Sequence, residues 1–187
     1  NQIGNSGTSA LASSPSLQNL ESLTIGFLED NSTGEACVAL AESGILAGLK
    51  ELSVTGGVSD AGLKSLATST TCRELRRLAL SGNVTDEGIE ALAHAQQLSG
   101  LWHLKLDHCP IGDRGALALA NSEILQELID LQLSFCKLTE QGSRSLAQSN
   151  NVRSLRWLSL NRELLQPWLI SSGISPLLRA RLQESEK

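Results

Sequence analysis

The sequence predicts an α/β fold: a right-handed solenoid of horseshoe form, with a concave parallel sheet and convex helices. Three observations predict it. The pattern leucine, two variable residues, leucine, one variable residue, aliphatic residue begins at Leu20, Leu49, Leu75, Leu101, Leu128 and Leu155. The starts lie 29, 26, 26, 27 and 27 residues apart, a period set by one strand-plus-helix unit. The second half of each unit is equally regular, with a glycine, a leucine–alanine pair and a closing apolar residue. Such a unit buries its apolar side only against its neighbours, so the copies stack into one continuous body.

The strand half of each unit comes first. Leu20-Leu23-Ile25, Leu49-Leu52-Val54, Leu75-Leu78-Leu80, Leu101-Leu104-Leu106, Leu128-Leu131-Leu133 and Leu155-Leu158-Leu160 alternate with polar residues near the strand period. The glycines fall at Gly7, Gly34, Gly62, Gly88, Gly115 and Gly142. The pairs Leu11-Ala12, Leu40-Ala41, Leu66-Ala67, Leu92-Ala93, Leu119-Ala120 and Leu146-Ala147 follow. Leu17, Leu46, Cys72, Leu98, Leu125 and Val152 close the units. The spacing of pair and closing residue predicts a helix of roughly three turns. Ser59-Asp60, Thr85-Asp86-Glu87, Asp113 and Thr139-Glu140 precede these helices, where hydroxyls cap free N–H groups and carboxylates complement the helix dipole. A helix is wider than the ~4.8 Å strand spacing, so the stack curves with its strands inside.

The repeats place residues 1–165 in the solenoid, with a partial first repeat, five full repeats and a terminal strand. Pro167 and Pro176 break the pattern, so residues 166–187 are assigned to a C-terminal cap, with Ser175-Pro176 starting its helix. The chain opens partway through a repeat and shows no such cap at that end. That leaves an open strand edge, a site for self-association.

Composition narrows function. Hydrophobic residues make up 41% of the chain, enough for a core of stacked Leu, Ala, Ile and Val, while aromatics are scarce at two Phe, three Trp and no Tyr. A net charge of −5 opposes a nucleic-acid surface, which needs a basic face. No run of 18 apolar residues exists, so no membrane-spanning helix is expected. The four cysteines lack metal spacing. Cys37 and Cys72 take small or apolar slots of the repeat, and Cys109 and Cys136 take one slot just past the strand on adjacent units. A reduced, cytoplasmic-type environment follows from that reading, with a secreted effector as the alternative. His103 and Asp107 lie roughly 13 Å apart along an extended strand and cannot share one ion. No nucleophile elbow, phosphate loop or dinucleotide glycine motif occurs, so neither enzyme chemistry nor a cofactor is expected. Of the sequons Asn31-Ser32-Thr33 and Asn83-Val84-Thr85, the second is expected to be buried in the same slot as Cys109 and Cys136.

These units resemble leucine-rich repeats. Residues Asn1 to Ala12 are similar to the ribonuclease-inhibitor-like subtype, and the 26-residue units containing Val58-Ser59-Asp60-Ala61-Gly62-Leu63 and Val84-Thr85-Asp86-Glu87-Gly88-Ile89 resemble the cysteine-containing subtype of F-box proteins. The resemblance implies a horseshoe that recognises proteins. It also implies an asparagine ladder after the strands, at positions here occupied by Leu28, Gly57, Asn83, Cys109, Cys136 and Glu163.

Residues between the strand leucines face the concave side. Three columns result: Ser22, Glu51, Arg77, His103, Asp130, Trp157; then Thr24, Ser53, Ala79, Lys105, Gln132, Ser159; then Gly26, Thr55, Ser81, Asp107, Ser134, Asn161. Phe27, Gly56, Gly82, His108, Phe135 and Arg162 follow just beyond, and both Phe are expected to face solvent. Glu51 beside Arg77 and His103 beside Asp130 form cross-strand pairs or merely avoid like-charge repulsion. Trp102, one residue before its strand, is expected to pack on the neighbouring unit. The candidate protein-binding residues are His103, Lys105, Asp107, His108, Asp130, Gln132, Phe135 and Trp157. The competing arrangement folds Phe135 over its loop and Trp157 under the cap. The functional expectation is a non-catalytic interaction scaffold binding a protein partner. The rivals are the substrate-recognition region of a larger enzyme system, such as a ubiquitin-ligase subunit or bacterial effector, and an architectural spacer.

Overall fold

The computed structural model describes residues 4–27, 34–151 and 154–161. The C-terminal cap assigned to 166–187, the ladder positions Leu28 and Glu163, the closing residue Val152, the rim residue Arg162 and the first sequon lie outside the described residues. Helices and strands alternate without exception: α1 (Asn5–Ala12), β1 (Ser22–Gly26), α2 (Glu35–Glu42), β2 (Glu51–Ser59), α3 (Asp60–Thr68), β3 (Arg77–Asn83), α4 (Asp86–Ala93), β4 (His103–Lys105), α5 (Asp113–Asn121), β5 (Asp130–Gln132), α6 (Glu140–Gln148) and β6 (Trp157–Ser159). The strands form one open parallel sheet in chain order, with Leu23, Leu52, Leu78, Leu104, Leu131 and Leu158 in register. Helices contact the helices of adjacent units, and strands contact strands, giving the α/β horseshoe that the period requires.

Between the two layers lies a core of aliphatic rungs. Leu49, Leu52 and Val54, and likewise Leu101, Leu104 and Leu106, are wholly buried, as are Leu40, Leu92 and Leu119 from the helix side. Removing one such leucine leaves a cavity, a change that costs about 2–5 kcal/mol. The helices are shorter than the spacing implies. Each runs eight or nine residues, a little over two turns. The closing residues Leu17, Leu46, Cys72 and Leu98 sit instead on separate 3-10 turns at Pro15–Leu17, Gly44–Gly48, Cys72–Glu74 and Gln96–Leu98, which turn the chain back toward the next strand.

Bonds between consecutive units hold the helices in step at both ends. Ser59, Thr85 and Thr139 cap their own helices through side-chain oxygens, as their position implies. The aspartates that follow the caps reach further. Asp60 accepts the backbone N–H groups of Thr85 (2.7 Å) and Gly88 (3.1 Å) and the Thr85 hydroxyl (2.6 Å), all in the next unit. Asp86 accepts the N–H groups of Gly112 (2.7 Å) and Gly115 (3.0 Å). Asp113 accepts those of Thr139 (2.8 Å) and Gly142 (2.9 Å) and the Thr139 hydroxyl. Each aspartate thus satisfies first-turn donors that have no partner within their own helix.

That contact explains the glycines. A Cβ on Gly88 would stand 2.5 Å from Asp60 Oδ1, and one on Gly115 would stand 2.7 Å from Asp86 Oδ1. Gly34 is the exception to the glycine pattern. It caps α2 in a left-handed conformation (φ 79°) rather than occupying the third helical position, and this falls in the unit with the 29-residue spacing.

At the opposite helix ends, serine hydroxyls do the same for orphan carbonyls. Ser69 donates to Ala41 O (2.7 Å), Ser122 to Ala93 O (2.7 Å) and Ser149 to Ala120 O. In the fourth unit Ala95 takes the serine's place, and Gln97 donates to Ala67 O instead. The alanines of four leucine–alanine pairs, Ala41, Ala67, Ala93 and Ala120, therefore present their carbonyls to the following unit.

Asn83 departs from expectation. It is exposed at the end of β3, pairing with Ser59, and Val84 is buried beside it. The cause is an irregularity between Thr55 and Val58, where Gly56 and Gly57 both adopt left-handed backbone and shift the register. Cys109 and Cys136 do fill the interior slot: their thiols approach Leu80 O (3.8 Å) and Leu106 O (3.2 Å) in the preceding units. All four cysteines are free and buried, and burial pushes the thiols of Cys37 and Cys136 up to about 12 and that of Cys109 up to about 11.

Burial alone would raise the Asp113 carboxyl, but the bonds from the Thr139 hydroxyl and the Thr139 and Gly142 N–H groups hold it below its ordinary value. A lowered folded value means that its contribution is present above the unfolded value, about pH 4, and is lost as pH falls through the folded one. Asp113→Ala is therefore expected to cost about 1 kcal/mol in urea unfolding at neutral pH. The gap between wild type and variant should narrow below about pH 4. A gap unchanged at low pH would contradict the bonding described.

Candidate functional site

The polar positions of the strands fall into the columns that alternation demands. Register aligns Glu51, Arg77, His103, Asp130 and Trp157 in one row, and Ser53, Ala79, Lys105, Gln132 and Ser159 in the next. The cross-strand charges meet. Arg77 Nε lies 3.6 Å from Glu51 Oε1, and His103 Nδ1 lies 2.8 Å from Asp130 Oδ2. The first pair is exposed and is worth at most about 1 kcal/mol. The second is largely buried, and Gln132 adds bonds of 3.3 and 3.2 Å from Nε2 to the two Asp130 oxygens. In the third column Asp107 accepts the Ser134 N–H (2.7 Å) and sits 3.4 Å from Lys105 Nζ. Ser134 and Ser159 share a hydroxyl contact of 2.8 Å. The floor of the face over β4–β6 is thus a bonded polar network whose carboxylates are already engaged.

The trailing rim, just past the strands, has an unusual backbone. Gly56, His108 and Phe135 occupy one template position and share left-handed backbone, with φ of 74°, 58° and 60°. Glycine adopts that conformation freely, whereas a side chain there costs roughly 1–2 kcal/mol. In the last two of these units the position carries rings instead. The His108 and Phe135 rings stack with centroids 4.4 Å apart and planes 9° from parallel. Phe135 is held from behind, its N–H donating to Asn161 Oδ1, whose Nδ2 donates to Cys136 O (3.0 Å). Even so, Phe135 stays 70% exposed. It does not fold away over its loop.

On the leading rim, Trp102 and Ile129 stand on adjacent rungs at 37% and 38% exposure, and on the next rung Trp157, in the first column beside Asp130, is 45% exposed. Trp102 does contact its neighbours: the Arg77 guanidinium lies 5.4 Å from its ring centre, and His103 meets it edge-on. Part of the ring remains open.

All eight candidate residues lie on β4–β6 or on the loops directly after them. His103, Asp130 and Gln132 are brought together, as are Lys105 with Asp107 and His108 with Phe135. Trp157 is in register beside Asp130. Phe27 departs from expectation: it is only partly exposed and packs against the core, its N–H bonded to Thr55 O (2.8 Å). Ile129 was not singled out by the alternation because it follows a strand leucine immediately. The signal for it is an aliphatic residue where four of the other five units carry the charged Glu21, Lys50, Arg76 and Arg156 and the fifth carries Trp102. Among the described residues no cluster of three metal-ligating side chains occurs, and no helix is long and apolar enough to cross a membrane.

Residues 71–93 and 101–120 match the family model described as Leucine Rich repeat. No curated protein matches the chain. Among solved structures, a chain in the crystal structure of a TLR13–ssRNA13 complex is similar at 16% identity and a TM-score of 0.25. The match covers 78% of this chain and 33% of that one, so the chain spans about a third of the length of its structural neighbour.

The left-handed rim makes opposite demands in different units. Gly56→Ala would place a Cβ 2.8 Å from Phe27 O on a backbone of φ 74°, and is expected to destabilise by about 1–2 kcal/mol. Phe135→Gly loses a ring stack but gains a permissive residue, so its stability should stay within about 1 kcal/mol of wild type. Chemical denaturation of both variants checks this. A Phe135→Gly protein that unfolds readily would mean the ring is a structural strut and not a displayed group.

Proposed function

We propose that the chain is a leucine-rich repeat protein and acts as a non-catalytic scaffold that binds a protein partner through the β4–β6 end of its concave face. One observation carries this reading: three of the four Trp and Phe residues among those described are exposed on the consecutive rungs β4 to β6. Aromatic side chains ringed by polar groups are the usual composition of a binding hot spot. A soluble protein gains nothing in stability by displaying them.

The polar floor supports the same reading. The His103–Asp130–Gln132 and Lys105–Asp107–Ser134 bonds fix side chains before a partner arrives, which lowers the entropy lost on binding. The chemistry in this proposal is recognition alone, with no cofactor, no membrane and no nucleic acid. A reduced compartment suits four free, buried thiols. The β1 edge, which has no neighbour on its outer side among the described strands, is a second place where another chain or copy could pair.

Affinity capture from a native lysate tests the proposal, comparing wild type with a His103→Ala, Phe135→Ala, Trp157→Ala variant whose folding has been checked by circular dichroism. Proteins retained by wild type are expected to be lost from the variant. Equal retention by both would move the interface to the helices or loops and defeat the concave-face reading.

A further inference from the structure

Resting on that reading, we infer that the occupant of the β4–β6 end is an acidic polypeptide segment carrying aromatic or aliphatic anchors. The apolar part follows from the rings. Ile129 on the leading rim, Trp157 in the first column and Phe135 on the trailing rim offer open apolar surface across the floor. The acidic part follows from which charges remain free.

Both carboxylates of the floor are spoken for: Asp130 by His103 and Gln132, Asp107 by the Ser134 N–H and Lys105. Two nearby cations are not. Arg156, directly before Trp157, and Lys137, two residues after Phe135, are exposed and make no ion pair among the described residues. Lys105 is half-exposed with one partner at 3.4 Å. Trp157 and Phe135 therefore each have, close in sequence, a cation with no ion pair among the described residues. The exposed carboxylate of Glu127 lies before Leu128, outside the face.

A partner carboxylate can form charge-assisted bonds with these cations while its apolar neighbours cover the rings. A nucleic acid would also bring anions and planar groups. However, it needs a basic stripe, and three cations on a chain of net charge −5 do not make one.

Panning a phage-displayed library of random dodecapeptides against the full chain tests the inference, with the recovered peptides then assayed against a Phe135→Gly, Trp157→Ser variant. Glycine suits the left-handed backbone at Phe135, and a thermal melt confirms that the variant is folded. The recovered peptides are expected to combine Asp or Glu with Trp, Phe or Leu. Once synthesised, they should bind the variant about 30-fold more weakly than wild type, and a Lys137→Glu, Arg156→Glu variant should also bind them more weakly. Basic or uncharged peptides, or equal binding to the charge-reversed variant, would overturn the acidic occupant while leaving the concave face standing. Peptides that bind the ring-deleted variant equally well would overturn both. Single-stranded oligouridylate binding wild type more tightly than any recovered peptide would replace the polypeptide with a nucleic acid.

Discussion

The structure depends on one hand-off: the first aspartate of a helix bonds the free first-turn N–H groups of the next. Strands repeat at about 4.8 Å, while packed helices need 8–10 Å, so two layers joined unit by unit are pulled out of step. A directional contact on the helix side must fix how far each unit advances. Asp60, Asp86 and Asp113 supply it at one end of the helices, and Ser69, Ser122 and Ser149 at the other. Glycine at the third helical position lets the carboxylate reach the backbone. The aliphatic rungs provide the bulk of the burial, but leucine packing is non-directional and would tolerate a slip that these bonds forbid.

Fixing the advance of each unit also fixes the face. A one-residue slip would send every concave side chain into the core, so the alignment of His103 with Asp130 inherits its precision from bonds on the far side of the repeat. The face is not uniform. β1 to β3 run five, nine and seven residues, with small or paired polar groups, and glycines hold the trailing-rim position in the units of β2 and β3. β4 to β6 run three residues each, and Asp107 and Asn161 side chains take up backbone donors beyond the strand ends. Among the described residues, rings stand on left-handed backbone only there, at His108 and Phe135.

Much of this was legible in the sequence. Alternation placed every residue of the first two columns on its observed rung, because the strand period leaves no choice once the leucines face inward. The hydroxyl caps were legible for the same local reason. The hand-off was not, since an aspartate at a helix start has a sufficient local role in the dipole, and its bonds to a unit some 25 residues on are set by packing. The helices came out shorter than their spacing implied because a 3-10 turn continues a similar apolar spacing. Asn83 was misplaced because the Gly56-Gly57 irregularity shifts the end of β3, and Phe27 because β1 leaves room for its ring against the core. The exposure of Phe135 was anticipated from its slot. The left-handed backbone and the His108 stack beneath it were not, because backbone torsions at non-glycine residues leave no mark in a repeat pattern.

Hydrogen exchange at the amides of Gly88, Gly115 and Gly142 tests the hand-off most directly. Amides in the first turn of an ordinary helix have no backbone acceptor and exchange quickly. If the aspartates of the preceding units hold them, these three should be protected as strongly as the amides in the body of β3. Exchange as fast as at a free helix start would mean that the aspartates do not keep the units in step, and the account of how this solenoid sets its face would fail.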